Sequence, residues 1–369
     1  MNQVRAGFLG CGVFITRYHL ESVKKNPLFQ IRALCDLDTD RLADRKQRFG
    51  CEYATTHYKD MLADPDLDLI FIGTEHNLHC RFIVELAEAG KNIFVEKPMC
   101  ITAEECKRVV DAVQSNRVKL MVGYNRRFAP AMVYLKEKYR QIRQGRNGIY
   151  LYRIMDDFLT WDNQEANASL EIGGGKILGE CCHIFDLVSW FSDSEPIRIF
   201  AQGDMNDACI TLHFANGDNA SIVTGGVGSQ YYPKELMEVY CHSSTLALYS
   251  FCETLFSSPQ EFEVKTYKMR KNRYSDEQGY AAYVKSLQAY KKEHRAGAVT
   301  PTDQPNPDKG HYEELTAYAR ALLDGRPSPV DEFSGSRATI LALKAIESIR
   351  TGKAQEIQPQ EYDFGYPRT

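Results

Sequence analysis

A short apolar run leads into Gly7-Phe8-Leu9-Gly10-Cys11-Gly12-Val13-Phe14-Ile15, and an amphipathic run follows at once. This glycine turn constrains the chain more than any other feature. Where a strand passes into a helix this way, the first glycine permits a tight turn and the second lets backbone approach a pyrophosphate. A small third residue lets helix and strand pack closely. Gly10 and Gly12 supply the first two, and Ile15 stands where the small third residue belongs. Amides at the helix N-terminus still receive phosphates. Asp36 ends the next apolar run, where an acid binds ribose hydroxyls. An aspartate there repels a 2′-phosphate, so NAD is favoured over NADP, and Arg41 nearby weakens that preference. Gly10, Gly12, Val13, Phe14, Asp36 and Arg41 are the candidate cofactor residues of this stretch. The competing reading is an ordinary strand-to-helix turn without a ligand.

Short apolar runs then alternate with longer amphipathic ones. Val4–Leu9, Ile31–Asp36, Leu69–Gly73, Ile93–Val95 and Val118–Val122 read as buried strands. Ile15–Lys25, Thr39–Phe49, Asn77–Ala89 and Thr102–Ser115 read as helices, with Gly50, Gly90 and Asn116 as C-terminal caps. Thr102 and Glu105 fit a capping box. Strands alternating with helices imply a parallel, doubly wound sheet.

The pattern changes after about Tyr124. Pro130–Arg143 reads as a helix, and seven alternating runs follow between residues 149 and 265. Asn216-Gly217-Asp218 between two of them is a hairpin signal. Cys181–Phe191, Tyr312–Leu323 and Gly335–Arg350 read as helices. The expected fold is α/β: a dinucleotide-binding domain over 1–123, then an α+β domain with a large antiparallel sheet over 124–369. Residues 270–307 fit neither pattern. They are polar, tyrosine-rich and end in three prolines, with a short helix expected over Tyr283–His294. They read as a solvated excursion, or else as an oligomer arm or active-site lid.

Composition narrows the function classes. The 369 residues carry 45 basic and 49 acidic side chains, a net charge of −4, which disfavours a general nucleic-acid binder. No run of about 18 apolar residues suits a membrane span. The segment Met1-Asn2-Gln3-Val4-Arg5 runs straight into a strand and does not read as a secretory signal. Eleven cysteines, many in apolar runs (Cys35, Cys100, Cys106, Cys209), suggest buried free thiols in a reducing cytoplasm.

Three further segments are specific in combination: Glu96-Lys97-Pro98 after the Ile93–Val95 strand, Gly123-Tyr124-Asn125-Arg126-Arg127-Phe128 after the last parallel strand, and Gly173-Gly174-Gly175 ahead of His183 and Asp186. With the glycine turn they resemble the Gfo/Idh/MocA family of glucose–fructose oxidoreductases and inositol dehydrogenases. The likeness covers roughly residues 4–250, and Asp308-Lys309-Gly310-His311 extends it to about residue 352. The resemblance implies a Rossmann domain joined to a mostly antiparallel sheet, with substrate held between nicotinamide and sheet. It implies oxidation or reduction of a secondary hydroxyl on a sugar, glycoside or cyclitol. The family's lysine falls on Lys97, its histidine on His183, and its substrate-side pair on Arg127 and Phe128. The loop after the third Rossmann strand falls on residues 74–79, so Thr74, His76 and His79 join Glu96 and Lys97 as cofactor-side candidates. Where the family pattern has an aspartate, this chain has Gly179, followed by Glu180; Gly179-Glu180-Cys181-Cys182-His183 is similar to a subgroup with a Gly-Glu-x-Cys-His pattern.

Hydride transfer from an alcohol needs a base for the hydroxyl proton and a partner that polarises the oxygen. A lysine serves if desolvation or nearby positive charge lowers its pKa. Lys97, His183 and Glu180 are therefore the candidate catalytic residues. Taken alone, Lys97 reads as a surface lysine and His183 as a satisfied core histidine. Glu180 lies three residues before His183, so the two share a face if the helix has begun. Asp186 reads as an orienting or packing residue. Tyr124, Asn125, Arg126 and Arg127 cluster polar groups at the expected crevice mouth, and Tyr152, Trp161 and Tyr231-Tyr232 are candidate surfaces for a sugar ring. The basic run from Lys265 to Arg273 reads as a solvated strand end or, less simply, as a contact for an anionic substrate.

Adjacent Cys181 and Cys182 do not readily share one tetrahedral ion, and no Cys-x-x-Cys pair occurs, so no metal is expected. Two other functions fit the motifs. One is a glycosidase that oxidises a ring hydroxyl at C3, eliminates the aglycone, adds water and returns the stored hydride to the sugar. The other is an NAD-binding sensor without catalysis. The open sheet of such second domains often pairs with another subunit, so a dimer or tetramer is expected.

Overall fold

The computed structural model describes residues 3–156, 169, 172–229, 231–295 and 303–367. Strands β1 (Val4–Leu9), β2 (Phe29–Cys35), β3 (Tyr53–Thr55), β4 (Leu69–Ile72), β5 (Asn92–Val95) and β6 (Leu120–Val122) form one sheet in the order β3-β2-β1-β4-β5-β6. Every pairing in it is parallel. The strands read as apolar runs because helices cover both faces; every residue of β4 is buried. Strand order reverses between β1 and β4, and ligands of such sheets bind at the carboxyl ends beside that point. Gly10, Asp36, Gly73, Glu96 and Gly123 each follow directly on a strand end there.

The helix after β1 opens with a π-helical turn, Ile15–Leu20, before Glu21–Lys25. Thr102 caps Ala103–Asn116 through a complete capping box. That helix ends one residue later than expected, with Arg117 rather than Asn116 left-handed (φ 54°). In this half of the chain β3 and the helix Tyr58–Ala63 went unexpected.

The second sheet holds β7 (Ile149–Met155), β8 (Pro196–Gly203), β9 (Ala208–Phe214), β10 (Asn219–Gly225), β11 (Glu235–Cys241), β12 (Ser244–Tyr249), β13 (Glu253–Ser257), β14 (Phe262–Thr266) and β15 (Gln355–Glu356). Their order is β14-β13-β12-β11-β7-β10-β9-β8-β15. All pairings are antiparallel except β7 with β10. Gly217 (φ +88°) makes the β9–β10 turn. On the inner face Tyr150 packs edge-on against Tyr139 and Phe191, from the helices Pro130–Arg143 and Cys182–Ser192. The outer face leaves Ile149, Leu151, Val223 and Tyr240 exposed. Cys209, expected to be buried, lies exposed on β9.

The last helices return to the first sheet. The Tyr318 hydroxyl, on His311–Leu323, hydrogen-bonds the Ile93 and Lys119 carbonyls at 2.9 and 2.7 Å. Gly335, on Glu332–Thr351, sits so close to Met99 that a Cβ would lie 2.6 Å from its sulfur. The boundary after Gly123 thus marks where the first sheet ends, not where contact with it ends. All eleven cysteines are free. Among the described residues no helix is long and apolar enough to cross a membrane.

Candidate active site

A cavity of about 1160 Å³ opens at the carboxyl ends of the first sheet. Gly10 takes φ +85°, and a Cβ there would lie 2.7 Å from the Gly73 carbonyl oxygen. Gly12 meets nothing within 4 Å, so its backbone stays open to the cavity. Asp36 accepts from the Cys11 amide at 2.8 Å and the Asp38 amide at 2.9 Å, and pairs with Arg41 at 3.1 Å. Val13 (75% exposed) and Leu37 (87%) are apolar side chains left bare on the cavity wall. An open glycine cradle at a helix start, an acid at the second strand end and bare apolar walls fit a dinucleotide. Phe14, Arg41, Thr74, His76, Glu96, Lys97 and Glu180 also line this cavity.

Lys97 follows β5 and reaches across to the second domain. Its Nζ donates to the Gly179 carbonyl at 2.8 Å and pairs with Glu180 Oε2 at 3.0 Å. Glu180 also binds Lys234 at 2.6 Å and Arg126 at 3.4 Å. These cations overcome its burial and hold its carboxyl well below the ordinary range. Arg126 in turn binds Glu235 at 2.7 Å, and Glu235 accepts from Tyr152 and Lys309. Lys234 also pairs with Asp156 at 2.8 Å. One network of alternating charge thus runs from the cofactor side to the start of β11.

The helix Gly175–Gly179 ends at Glu180 (φ −125°), and Cys182–Ser192 starts beyond it. The expected shared helical face of Glu180 and His183 is therefore not formed. A Cβ on Gly179 would lie 3.1 Å from the Gly173 carbonyl oxygen and 3.7 Å from His76 Cε1. Gly179 itself lines the cavity, and the carboxylate there comes from the next residue. His183 is 5% exposed and makes no side-chain hydrogen bond among the described residues. Burial, then the Arg126 and Lys97 charges, push its pKa well down, so the ring is neutral.

Several expected contacts lie elsewhere. His79 is fully buried; its ring sits between the Pro98 carbonyl (2.8 Å) and the Thr74 carbonyl (3.2 Å), so it braces two loops behind the cavity. His76 donates Nδ1–H to the Gly173 carbonyl at 3.0 Å, and burial drives its pKa down to about 3. Tyr124 is fully buried, edge-on to His183, and not at the mouth. Arg127 is committed to Asp186 in a buried ion pair that ties its turn to the Cys182–Ser192 helix, so its guanidinium is not offered to substrate. Asn125 donates to the Lys309 carbonyl at 2.8 Å, and Phe128 packs against the core. Tyr152 is 2% exposed with its hydroxyl on Glu235, so it presents no ring face to a sugar. Trp161 lies outside the described residues. Burial pushes the Cys182 thiol up to about 12, which leaves it unreactive. Lys234, Glu235, Lys309 and Asp156 were missed. A Pro-Lys-Glu at a strand start looks like any surface charge, and only the alignment of β11 beside β7 gathers these groups.

The sequence of residues 4–124 matches the model of an oxidoreductase family with an NAD-binding Rossmann fold, Gfo/Idh/MocA. The chain is 32% identical over 234 residues to the uncharacterized oxidoreductase YrbE of Bacillus subtilis, covering 60% of this chain and 66% of that protein. It is 22% identical to the myo-inositol 2-dehydrogenase of Thermotoga maritima, covering 96% of this chain and 99% of that one. A levoglucosan dehydrogenase solved in complex with NADH shares the fold, with a TM-score of 0.77 at 18% identity, over 96% of this chain and 99% of that one. A dinucleotide crevice at the sheet's switch point, a lysine bridging both domains, and likeness over nearly the whole length place this chain in the Gfo/Idh/MocA family of NAD-dependent oxidoreductases.

Proposed function

We propose that the protein oxidises a secondary hydroxyl of a sugar, glycoside or cyclitol, or reduces the matching ketone. The observation that carries this reading is Lys97: it stands on the rim of the cofactor cavity and is ion-paired, across the domains, with Glu180. The inositol and levoglucosan specificities of the relatives above support the substrate class.

Gly10, Gly12, Val13 and Phe14 take the pyrophosphate side of NAD, Asp36 the ribose, and Thr74, His76 and Glu96 the nicotinamide side. When bound, NAD supplies the hydride acceptor. The Lys97 ammonium donates to the substrate oxygen and stabilises the charge that develops there. His183, held neutral, is free to accept the hydroxyl proton. Glu180 fixes the Lys97 ammonium and receives Lys234, so it sets the spacing of both charges. The bare outer face of β7, β10 and β11 suits a second copy of the chain, as a dimer or tetramer. The free thiols suit a reducing cytoplasm.

The test is a panel of cyclitols, free sugars and nitrophenyl glycosides, followed at 340 nm and for nitrophenol release, with and without added NAD. Steady nicotinamide reduction without aglycone release is expected. Aglycone release without net NADH would overturn the reading. Lys97→Met should lower kcat by about 10²–10⁴-fold while NADH binding changes little.

A further inference from the structure

The stretch after β14 is folded, and it reaches the helix of the glycine turn. Its own helix, Tyr280–Arg295, is longer than expected and packs Tyr283 and Leu287 on Cys252 and Met269. Arg270, where the stretch begins, donates from Nη2 to Ser22 Oγ at 3.3 Å. Tyr18 stacks at 4.4 Å on His311 of the second domain. The first Rossmann helix is thus gripped at Tyr18 and Ser22, and between these two it sends His19 inward.

His19 lies on the π-helical turn Ile15–Leu20 and is fully buried. Such turns re-aim side chains and recur at functional sites. The ring is walled by Phe94 at 5.0 Å, Phe14 at 5.8 Å and Phe71 at 5.9 Å. Nε2 donates to Glu96 Oε1, and Nδ1 has no hydrogen-bond partner among the described residues. A polar group buried among aromatic rings is costly unless it is bonded. The bond to Glu96 is the one hydrogen bond this ring makes among the described residues.

Glu96 is held at both oxygens, because Oε2 accepts from the Lys97 amide at 3.2 Å. Burial opposes its charge, but the His19 bond and the Lys97 charge keep its carboxyl below the ordinary range. Each carboxylate oxygen can accept a second bond, and Glu96 lines the cavity. Gly123, directly after β6, keeps the space for it: a Cβ there would lie 3.2 Å from Oε1.

We propose that His19 is a positioning residue for the cofactor: it holds the Glu96 carboxylate at the cavity wall as an acceptor for the ribose hydroxyls on the nicotinamide half of the dinucleotide. This rests on the placing of Glu96 on the nicotinamide side given above. The helix that receives the pyrophosphate and the acid that receives the ribose are then one unit, because His19 joins them.

The experiment measures NADH affinity by fluorescence and ADP affinity by calorimetry for wild type, His19→Leu, His19→Gln, Glu96→Gln and the double variant His19→Leu, Glu96→Gln. ADP carries the adenosine and pyrophosphate but not the second ribose. His19→Leu fills the aromatic pocket and removes the donor. It should raise the NADH Kd about tenfold or more, the worth of one hydrogen bond to a charged group, with the ADP Kd within twofold. His19→Gln keeps an N–H donor and should regain part of the loss. The double variant should bind NADH no worse than Glu96→Gln alone, since the histidine acts through that carboxylate. Unchanged NADH affinity in His19→Leu overturns the proposal. Equal losses for NADH and ADP overturn it too, because the residue would then only support the fold, and so do losses that multiply in the double variant. His19→Asn, whose amide is too short to reach Glu96, gives the same test should His19→Leu not fold. Wild-type NADH affinity in Glu96→Gln would show instead that Glu96 does not face the ribose, and the placing of Glu96 fails before that of His19.

Discussion

Ile15 occupies the space that a side chain on Gly73 would need. A Cβ on Gly73 would lie 2.0 Å from Ile15 Cγ1. In the glycine fingerprint the small residue that lets helix meet strand stands at the position of Ile15. Here the small residue is on the neighbouring strand end, and the close packing is kept from the other side. Gly73→Ala should therefore lower stability by about 1–3 kcal/mol, the cost of overpacking. Ile15→Ala in the same chain should recover part of that loss. A double-mutant cycle by denaturant unfolding reads the coupling, expected at about 1 kcal/mol or more; additive effects would refute it. The missing aspartate at Gly179 is legible, but its surroundings are not: the position lines the cavity, with His76 Cε1, 103 residues away, at 3.7 Å from a Cβ placed there. Lys97, Glu180 and His183 are legible from their motifs. Arg126 is legible as part of the crevice cluster, but Lys234 and Glu235 are not, since a buried ion pair and a solvated one use the same residue types.

Helices with a strong apolar stripe and a proper cap are the elements a sequence announces. The capping box at Thr102 has both halves: the Glu105 amide reaches Thr102 Oγ1 at 3.1 Å, and Glu105 Oε2 accepts from the Thr102 amide at 3.2 Å. Thr102→Ala should cost about 1 kcal/mol, read as a fall in Tm, with NADH affinity unchanged because the helix lies behind the sheet. The elements that went unseen lack such signals. Strand β3 has three half-buried residues at a sheet edge, too few for a period. The parallel β7–β10 pair hides because alternation along a strand carries no direction; only the crossover through the Cys182–Ser192 helix and the β8–β9–β10 meander sets it. The break at Glu180 has a local signal in Gly179 directly before it, a poor helix former, and Glu180 there pairs with Lys97 and Lys234.

Across the whole molecule, buried titratable groups fix how stability depends on pH. Burial pushes His76 down to about 3 and holds His79, His183 and His311 below the ordinary value. In the unfolded chain a histidine titrates near about 6.5. With folded values lowered, the stability of each neutral ring is complete above that pH. It is lost as pH falls below it, because the unfolded chain takes up protons first. Glu332 works the other way: burial raises it from 4.5 to about 7, and Glu314 is raised too. Their stability is complete below pH 4.5 and lost as pH rises, since the unfolded carboxyls ionise first. Burial raises Glu313 and Asp186 as well, so four carboxyls oppose the four histidines between these limits. Each unmatched proton is worth about 1.4 kcal/mol per pH unit, so removing any one of these groups tilts the pH profile of the denaturant midpoint. Glu332→Gln separates the two effects. The amide keeps an oxygen for the bond from Gln114 Nε2 (2.6 Å) and has no proton to lose. It should stabilise the protein at pH 8 and leave it unchanged at pH 4.5. Equal midpoints for wild type and Glu332→Gln at both pH values would show that Glu332 is ionised in the fold, and that its burial is offset by a charge.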